Sequence, residues 1–133
     1  MNKNKSSKIL PKAPFEKFLN MEIIKAGSGF SLVKLPFRKD FTNPHKSLHG
    51  GAIVSLADTA SAIALSGYNN TDNFFTTKFK IEFKRQAKTD IFARAEVVDK
   101  KKSFYFIDIN IFDSAKETIA KAKSVFFMPR IKP

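Results

Sequence analysis

The sequence predicts an α+β domain in which a curved antiparallel sheet of about five to six strands wraps around one long central helix. Residues 51–66 predict the helix, because alanine, leucine and isoleucine recur there so densely that no wide polar face remains. Strand-like segments with alternating apolar side chains precede and follow it. A sheet of such strands must cover its apolar face, and residues 51–66 supply the long apolar helix that can do so.

The segment ahead of the helix predicts a tail, a short helix and a hairpin. Residues 1–12 carry four lysines and no acidic residue, which predicts a flexible basic tail. Residues 13–20 place apolar side chains at helical spacing and predict a short helix. Residues 21–26 and 30–37 predict two strands, joined by a turn at residues 27–29.

Four strand-like segments follow the central helix, which is expected to end at Gly67 and the asparagines beyond it. Their succession with short connections favours antiparallel pairing. In the first segment, apolar and polar side chains alternate, which predicts a half-buried strand with Phe75 and Thr77 on its inner face. The four segments are residues 75–83, 91–98, 104–112 and 116–128.

The length of 133 residues and a hydrophobic content of 43% predict a single domain at residues 13–133, behind the tail. The chain has no cysteine, which excludes disulfides, thiolate metal sites and a cysteine nucleophile. We expect neither a metal nor another cofactor. The basic amino terminus lacks the apolar core of a secretory signal, and Ser55 and Asp58 interrupt the longest apolar run. We therefore expect no membrane span and a cytoplasmic location.

The net charge of +12 raises the question of nucleic-acid binding. Nearly all the basic residues are lysine and only four are arginine, which weakens the case for bidentate recognition of bases or phosphates. They are also spread along the chain rather than clustered. We expect no nucleic-acid partner and assign the charge mainly to the solvated surface, with a smaller share for a polyphosphate ligand.

Residues able to support chemistry are concentrated between Asn43 and Asp58. Pro44 disfavours helix at Asn43, so the stretch begins as a loop, and Gly50 and Gly51 stand where the predicted helix starts. Asp58 lies in the middle of that apolar helix, where an aspartate is rare unless it is paired or used. A carboxylate inside a buried helix that begins with two glycines indicates an active site.

Two of these residues also have a purely structural interpretation. A hydroxyl group at Ser55, Thr59 or Ser61 would satisfy Asp58 by a hydrogen bond without any catalytic role. His49 would brace the loop through a backbone hydrogen bond as well as it would act on a substrate. Both interpretations stay open at the level of the sequence.

The spacing of five residues carries a family resemblance. Asn43 stands six residues before the tripeptide His49-Gly50-Gly51 begins, and Asp58 stands nine residues after the histidine. This pattern resembles the motif of hotdog-fold acyl-CoA thioesterases of the phenylacetyl-CoA thioesterase-like group. The resemblance implies the hotdog fold for this chain.

The resemblance extends over the strand order from about residue 21 to residue 128. The segment at residues 83–87, Phe-Lys-Arg-Gln-Ala, is similar to the end of the family's strand after the helix. Gln86 stands where the family usually has proline, a departure that concerns a turn rather than the chemistry.

The resemblance implies hydrolysis of an acyl-CoA thioester. In the family a backbone N–H holds the thioester carbonyl, which falls on Gly50 here, and Gly51 lets the ligand approach closely. The family's aspartate, here Asp58, comes from the other subunit and acts as general base or nucleophile. Asn43 matches a residue that orients the water or the carbonyl, and Thr76 falls where the family places a hydroxyl near that water. A homodimer, or a homotetramer made of two dimers, is implied with them.

The start of a helix suits this chemistry on physical grounds as well. Free N–H groups and the positive end of the helix dipole stabilise a developing negative charge. Loss of one such donor typically lowers a rate by about 10²–10³. Gly51 and Asp58 are seven residues apart, which is about 10 Å along a helix. One carbonyl cannot easily contact both, so the spacing also favours a site shared by two subunits.

The phosphates of coenzyme A would need basic residues close to the site. Arg85 is the first candidate and Lys88 the second, and residues 100–102 are expected to form a neighbouring basic turn. The alternative is that these residues only keep the surface soluble.

Three other functions fit parts of the sequence. Residues 40–45 resemble the Asp-x-Asn-Pro-x-His signature of hydratases with the same fold, but the spacing fails at both ends and Asp58 would have no role. A non-catalytic acyl-CoA-binding protein would not need Asp58 or Gly50, and both are present. RNA binding would rest on charge alone. The acyl group that is hydrolysed, and the choice between base and nucleophile for Asp58, stay open.

Overall fold

A six-stranded sheet surrounds one long helix in the computed structural model of the protein, which describes residues 13–69 and 71–129. All neighbouring strands pair antiparallel, and the long helix contacts every strand of the sheet. The predicted α+β architecture is therefore confirmed. The predicted tail at residues 1–12 lies outside the described residues.

Helices and strands do not alternate regularly along the chain, because a hairpin precedes the long helix and the other four strands follow it. Their order across the sheet is β1-β2-β4-β5-β6-β3, so that β1 and β3 form the two edges. In chain order they are α1 (Pro14–Phe18), β1 (Glu22–Gly27), β2 (Phe30–Leu35), a 3-10 turn (Lys39–Phe41), α2 (Gly50–Asn69), β3 (Phe75–Phe83), β4 (Ile91–Lys101), β5 (Phe104–Asp113) and β6 (Thr118–Phe127).

Helix α2 is longer than the sequence predicted. It begins at Gly50 rather than at residue 51 and continues to Asn69, so Gly67 lies inside the helix and does not end it. Glycine inside a helix destabilises it by about 1 kcal/mol relative to alanine. The ring of Tyr68 packs edge-on against Tyr105 of β5, with 5.6 Å between ring centroids, and this contact holds the last turn in place.

Helix α2 forms the centre of the hydrophobic core. Its fully buried apolar side chains are Leu56, Ala57, Ala60, Ile63, Ala64 and Leu65. Alanine at these positions lets strands approach the helix backbone closely, which a helix surrounded by a sheet requires. By length and composition the span Gly50–Tyr68 could also cross a membrane, but more than half of it is buried in this fold, and the core helix of a globular domain meets the same criteria.

Buried hydroxyl groups on and around α2 are satisfied within the core. Ser31 of β2 donates to the carbonyl oxygen of Ala60 at 2.7 Å. Ser61 donates to the carbonyl oxygen of Ala57 at 3.0 Å, and its oxygen lies 2.9 Å from the hydroxyl of Ser124 in β6. These bonds fix α2 against both halves of the sheet, because an unsatisfied buried hydroxyl is unfavourable.

A β-bulge near the start of β3 changes which side chains face α2. The pairing with β6 shifts between Thr76 and Lys78, so one extra residue, Thr77, is inserted in the edge strand. Thr76 is opposite Phe126, which is only 2% exposed. Directly paired residues point to the same face of a sheet, so Thr76 faces the helix.

The predicted inner face of β3 is therefore wrong at its first positions. Phe75 is 58% exposed and lies against Phe127 on the outer face, with 5.6 Å between ring centroids. Beyond the bulge the prediction holds, since Phe79 and Ile81 pack against the core. The sequence alternates regularly through this stretch, and only the pairing with β6 reveals the extra residue.

Candidate active site

The loop before α2 is shaped by the side chain of Asn43. Its Oδ1 accepts hydrogen bonds from the N–H of His45 at 2.9 Å and from the N–H and hydroxyl of Ser47 at 3.3 and 3.2 Å. The backbone N–H of Asn43 donates to the carbonyl oxygen of Ser47 at 2.8 Å. The oxygen of Asn43 is thus used to close the loop, which leaves its Nδ2 as the polar group free of a bond to any described residue.

Two backbone hydrogen bonds tie this loop to the rest of the fold. The N–H of His49 donates to the carbonyl oxygen of Phe41 at 2.8 Å, and the N–H of Leu48 donates to that of Ala87 at 2.8 Å. Leu48 and Phe41 are themselves buried in the core. The start of α2 is therefore fixed against the segment that follows β3.

His49 is the N-cap of α2. Its Nδ1 accepts a hydrogen bond from the N–H of Gly51 at 2.8 Å, and its carbonyl oxygen accepts from the N–H groups of Ala52 and Ile53 at 2.9 and 3.3 Å. The first four N–H groups of a helix have no partner inside it. Three of the four are satisfied by His49, and the N–H of Gly50 donates to no residue that the structure describes. The bracing role considered for His49 is what the geometry shows.

Packing within one chain demands glycine at only one of the two positions at the helix start. A Cβ atom on Gly51 would lie 3.0 Å from Nδ1 of His49, so a side chain there would push the capping imidazole away. A Cβ atom on Gly50 would lie 3.6 Å from the Phe83 ring, an ordinary contact. Within one chain, packing therefore does not demand glycine at position 50.

Asp58 is half-buried in the middle of α2 and contacts β3. The hydroxyl of Thr76 donates to its Oδ1 at 2.8 Å, a bond that the bulge makes possible. Burial raises the pKa of the Asp58 carboxyl above 3.8, the Thr76 hydrogen bond lowers it, and the Glu16 carboxylate raises it further, with a net rise. No described residue is hydrogen-bonded to Oδ2.

The structural interpretation of Asp58 is wrong in the form considered above. Ser55 donates to the carbonyl oxygen of Gly51 at 2.8 Å, and Ser61 is bonded to Ala57 and Ser124. Thr59 donates to Glu16 at 3.1 Å. None of the three hydroxyl groups satisfies Asp58, which a residue of β3 contacts instead.

The structure does not bring Gly50 and Asp58 to one point within a chain. They lie eight residues apart on the same helix, which corresponds to about 12 Å along its axis. Thr76 joins Asp58, whereas Phe83, at the other end of β3, lies beside Gly50. The predicted residues thus form two half-sites at opposite ends of β3.

The basic residues also fall into two separate groups. Arg85 and Lys88 lie in the exposed segment after β3, close to the start of α2, and the Arg85 guanidinium is paired with the carboxylate of Glu117. Lys100 and Lys101 are the last residues of β4, roughly 30 Å along the strand from its start at Ile91 at about 3.3 Å per residue, and Lys102 follows them. The prediction that these residues form a neighbouring turn is wrong, because β4 separates the two groups.

Two contacts at the half-sites were not predicted from the sequence. The Phe83 ring lies over Gly50, and Glu16 of α1 reaches the hydroxyl of Thr59. Glu16 carried no sequence signal, because its position depends on how α1 docks against α2. Phe83 was expected on an inner face, but its proximity to Gly50 depends on the pairing of β3 at the sheet edge.

Comparison with known proteins identifies the class to which this fold and site belong. A family model described as the thioesterase superfamily matches residues 45–120. The acyl-coenzyme A thioesterase PaaI of Escherichia coli K12 is 32% identical over 106 residues, which cover 78% of this chain and 74% of that protein.

Solved structures agree with this result. The E. coli PaaI protein, described as part of the phenylacetic acid degradation operon, superposes with a TM-score of 0.86 at 25% identity and covers 96% of each chain. A crystal structure of another thioesterase-superfamily protein superposes with a TM-score of 0.88 at 21% identity, covering 96% of this chain and 98% of that one. The chain belongs to the thioesterase superfamily, and the predicted hotdog fold and likeness to the phenylacetyl-CoA thioesterase-like group are confirmed.

Replacement of Asp58 by asparagine is expected to stabilise the fold at neutral pH. The folded-state pKa of Asp58 lies above the value of 3.8, so the native state binds its proton more readily than the unfolded state does. Stability therefore falls as pH rises from about 3.8 through the raised pKa. Asparagine removes this charge and keeps an oxygen that accepts from Thr76. Urea unfolding should show a higher free energy of unfolding for Asp58→Asn at pH 7 and a smaller gain near pH 4.

An exposed aspartate provides the matched control. Asp72 lies in the exposed connection between α2 and β3, so Asp72→Asn should change stability by no more than about 0.5 kcal/mol. An Asp58→Asn protein that is less stable than the native one at pH 7 would show that the charged carboxyl is well solvated in the fold.

Proposed function

We propose that this protein hydrolyses acyl-CoA thioesters to the free acid and coenzyme A, at two equivalent sites shared between the subunits of a homodimer. The observation that carries the proposal is the N–H of Gly50, which donates to none of the described residues, at the start of a helix whose other early N–H groups are capped. The acyl-CoA thioesterase name of the E. coli relative supports the choice of substrate class.

The chemistry follows from the properties of the two half-sites. The thioester carbonyl oxygen accepts from the Gly50 N–H, and the positive end of the helix dipole stabilises the oxyanion as it forms. Asp58, with its Oδ2 free, takes a proton from water while the water oxygen bonds to the acyl carbon. The carbon–sulfur bond then breaks, and the proton held by Asp58 goes to the departing thiolate. Direct attack by Asp58 would instead give an anhydride that water opens.

The supporting residues hold these groups in place. Thr76 fixes one oxygen of Asp58, and no described residue is hydrogen-bonded to the other. The Nδ2 of Asn43 is bonded to no described residue, and we propose that it donates to the attacking water or to the carbonyl. Gly51 keeps the imidazole of His49 in its capping position, so that among the early N–H groups of α2 the one left without a described partner, that of Gly50, is available to the substrate.

The edge strand β3 explains how two chains complete a site. A nine-residue edge strand is a template for pairing with another chain, and Phe75 and Phe83 on it are 58% and 51% exposed. Antiparallel pairing of β3 with a second β3 about their midpoints at Phe79 puts Thr76 opposite the partner's Glu82, next to the partner's Phe83. Since Thr76 contacts Asp58 and Phe83 contacts Gly50, Asp58 comes near the partner's Gly50. Family resemblance extends this proposal to a homotetramer made of two such dimers.

Basic residues near the helix start are proposed to bind the coenzyme phosphates. Arg85 and Lys88 follow β3, and the Leu48–Ala87 hydrogen bond joins their segment to the loop before Gly50. The Glu117 carboxylate now holds Arg85, so a phosphate would replace or share that exposed ion pair. Exposed ion pairs are weak enough for such an exchange.

Loss of the Asp58 carboxylate should abolish most of the hydrolysis. Asp58→Asn is expected to lower kcat by about 10²–10⁴, the usual contribution of a positioned base. Because only the deprotonated carboxyl works, native kcat/KM should fall as pH drops through the raised pKa of Asp58. Release of free thiol from a panel of acyl-CoAs measures both effects, with Asp72→Asn as the control. A native protein that binds acyl-CoA without releasing thiol would instead be a non-catalytic binding protein.

Mixing two inactive variants should restore activity. Gly50→Pro removes only the critical N–H, because proline is well tolerated at the first position of a helix. In a heterodimer of Gly50→Pro and Asp58→Asn chains, one of the two sites has both groups intact. Random exchange should therefore recover about a quarter of native activity per chain. Gly50→Ala keeps the N–H and meets Phe83 at an ordinary distance, so it should stay active alone. No recovery after verified subunit exchange would contradict the shared site.

Removal of the basic side chains should weaken binding of the coenzyme only. Arg85→Ala combined with Lys88→Ala is expected to raise KM for acyl-CoA by a few-fold, roughly the value of exposed charge contacts. KM for an acyl-pantetheine thioester, which has no phosphates, should stay unchanged. Lys100→Ala with Lys101→Ala at the far end of β4 is the matched control. Equal effects on both thioesters would show that Arg85 and Lys88 do not contact the phosphates.

A further inference from the structure

Glu16 is a partly buried carboxylate that the proposed mechanism does not use. Its Oε2 accepts a hydrogen bond from the hydroxyl of Thr59 at 3.1 Å, and Thr59 is only 6% exposed. Its Oε1 is buried and has no hydrogen-bond partner among the described residues. Neither oxygen is paired with a described lysine or arginine.

The backbone around Glu16 is held firmly in place. Asn20 adopts a left-handed conformation with φ of 59° and closes α1 by donating to the carbonyl oxygen of Lys17 at 3.0 Å. The N–H of Met21 donates to the carbonyl oxygen of Glu16 itself at 3.2 Å. Leu19 is 5% exposed and anchors the helix in the core. The position of Glu16 is therefore a defined feature of the fold.

A buried carboxylate oxygen without a donor is unfavourable, and glutamine would make the Thr59 bond without a charge. Packing alone therefore does not explain why residue 16 is a glutamate rather than a glutamine. Thr59 is the residue after Asp58 on α2, so the hydrogen bond from Thr59 holds the Glu16 carboxylate against the same turn of the helix as the candidate base. Its charge raises the pKa of Asp58, after the larger effect of burial.

We propose that Glu16 is a positioning residue of the active site, a second carboxylate that Thr59 locks in place so that Asp58 accepts the proton of the attacking water more readily. This rests on the proposed function. Like charges close together favour the protonated form of one of them. A stronger base would take the proton of water early and hold it until the thiolate departs.

The other groups around Asp58 do not supply this charge. From β3 the neutral hydroxyl of Thr76 faces Asp58, and that hydrogen bond acts in the opposite direction. On α2 itself, the hydroxyl groups of Ser55 and Ser61 are bonded elsewhere. From α1, Glu16 supplies the negative charge that acts on Asp58.

The substitution Glu16→Gln tests the proposal, because glutamine keeps the shape and the Thr59 bond but removes the charge. Carbon-13 NMR of the aspartate carboxyl groups, with the Asp58 signal assigned by its loss in Asp58→Asn, gives the titration midpoint of Asp58 directly. We expect that midpoint at lower pH in Glu16→Gln than in the native protein. The acid limb of kcat/KM should move the same way, and kcat should fall while KM for acyl-CoA stays the same.

Three further variants separate charge from structure. Glu22→Gln changes the same charge on the exposed edge strand β1 and should leave the midpoint where it is. Glu16→Asp keeps a carboxylate and should titrate closer to the native protein than Glu16→Gln does. Thr59→Val releases the Glu16 carboxylate and should move the midpoint in the same direction as Glu16→Gln, so it carries the test if the glutamine variant does not fold.

The outcomes distinguish this inference from the proposed function. An Asp58 midpoint that stays unchanged in both Glu16→Gln and Thr59→Val would overturn the role of Glu16, whatever the activity. The absence of thiol release by the native protein would overturn the proposed function, while the NMR titration would still decide whether Glu16 acts on Asp58.

Discussion

The burial of α2 inside the sheet is the constraint on which the rest of the molecule depends. A helix that touches every strand of a six-stranded sheet needs small and apolar side chains on nearly all sides. Its first turn and Asp58 are the places where it departs from this rule. At the first turn a free N–H remains, and at Asp58 a carboxylate is retained in partly desolvated surroundings. The element that stabilises the fold therefore also carries the groups suited to chemistry.

The free N–H of the first turn and the carboxylate of Asp58 are unfavourable for folding, but both are useful to a catalyst. The carboxyl of Asp58 is destabilised in its charged form by burial, and the Gly50 N–H has no partner within residues 13–69 and 71–129. Natural proteins often accept reduced stability where a site needs groups that are desolvated or unpaired. Other polar groups of α2 and its neighbours are hydrogen-bonded: His49 caps the N–H groups of Gly51, Ala52 and Ile53, and the core hydroxyls of Ser31 and Ser61 are satisfied.

The edge strand β3 contacts both Asp58 and Gly50. Its bulge turns Thr76 toward Asp58, and its far end places Phe83 over Gly50. A bulge at an edge both re-aims a side chain and alters the edge itself. The inserted residue, Thr77, thus sets the geometry of the hydrogen bond between Thr76 and Asp58. The rest of β3 stays a long edge strand that a second chain can pair with. The position of β3 in the sheet is what makes a shared site geometrically reasonable.

The sequence alone determined the features that depend on local pattern. Apolar periodicity predicted α2 and the six strands, because burial of one face imposes the periods of helix and strand on the residues themselves. The spacing from Asn43 to Asp58 predicted the site residues and the family. Only the tertiary structure decided what depends on pairing and docking. The pairing of β3 with β6 places Thr76 on the inner face of the sheet. The last turn of α2, beyond Gly67, packs against Tyr105. The length of β4 separates residues 100–102 from Lys88. The docking of α1 brought Glu16 to Thr59. These outcomes were not readable in advance, because each depends on residues far apart in the chain.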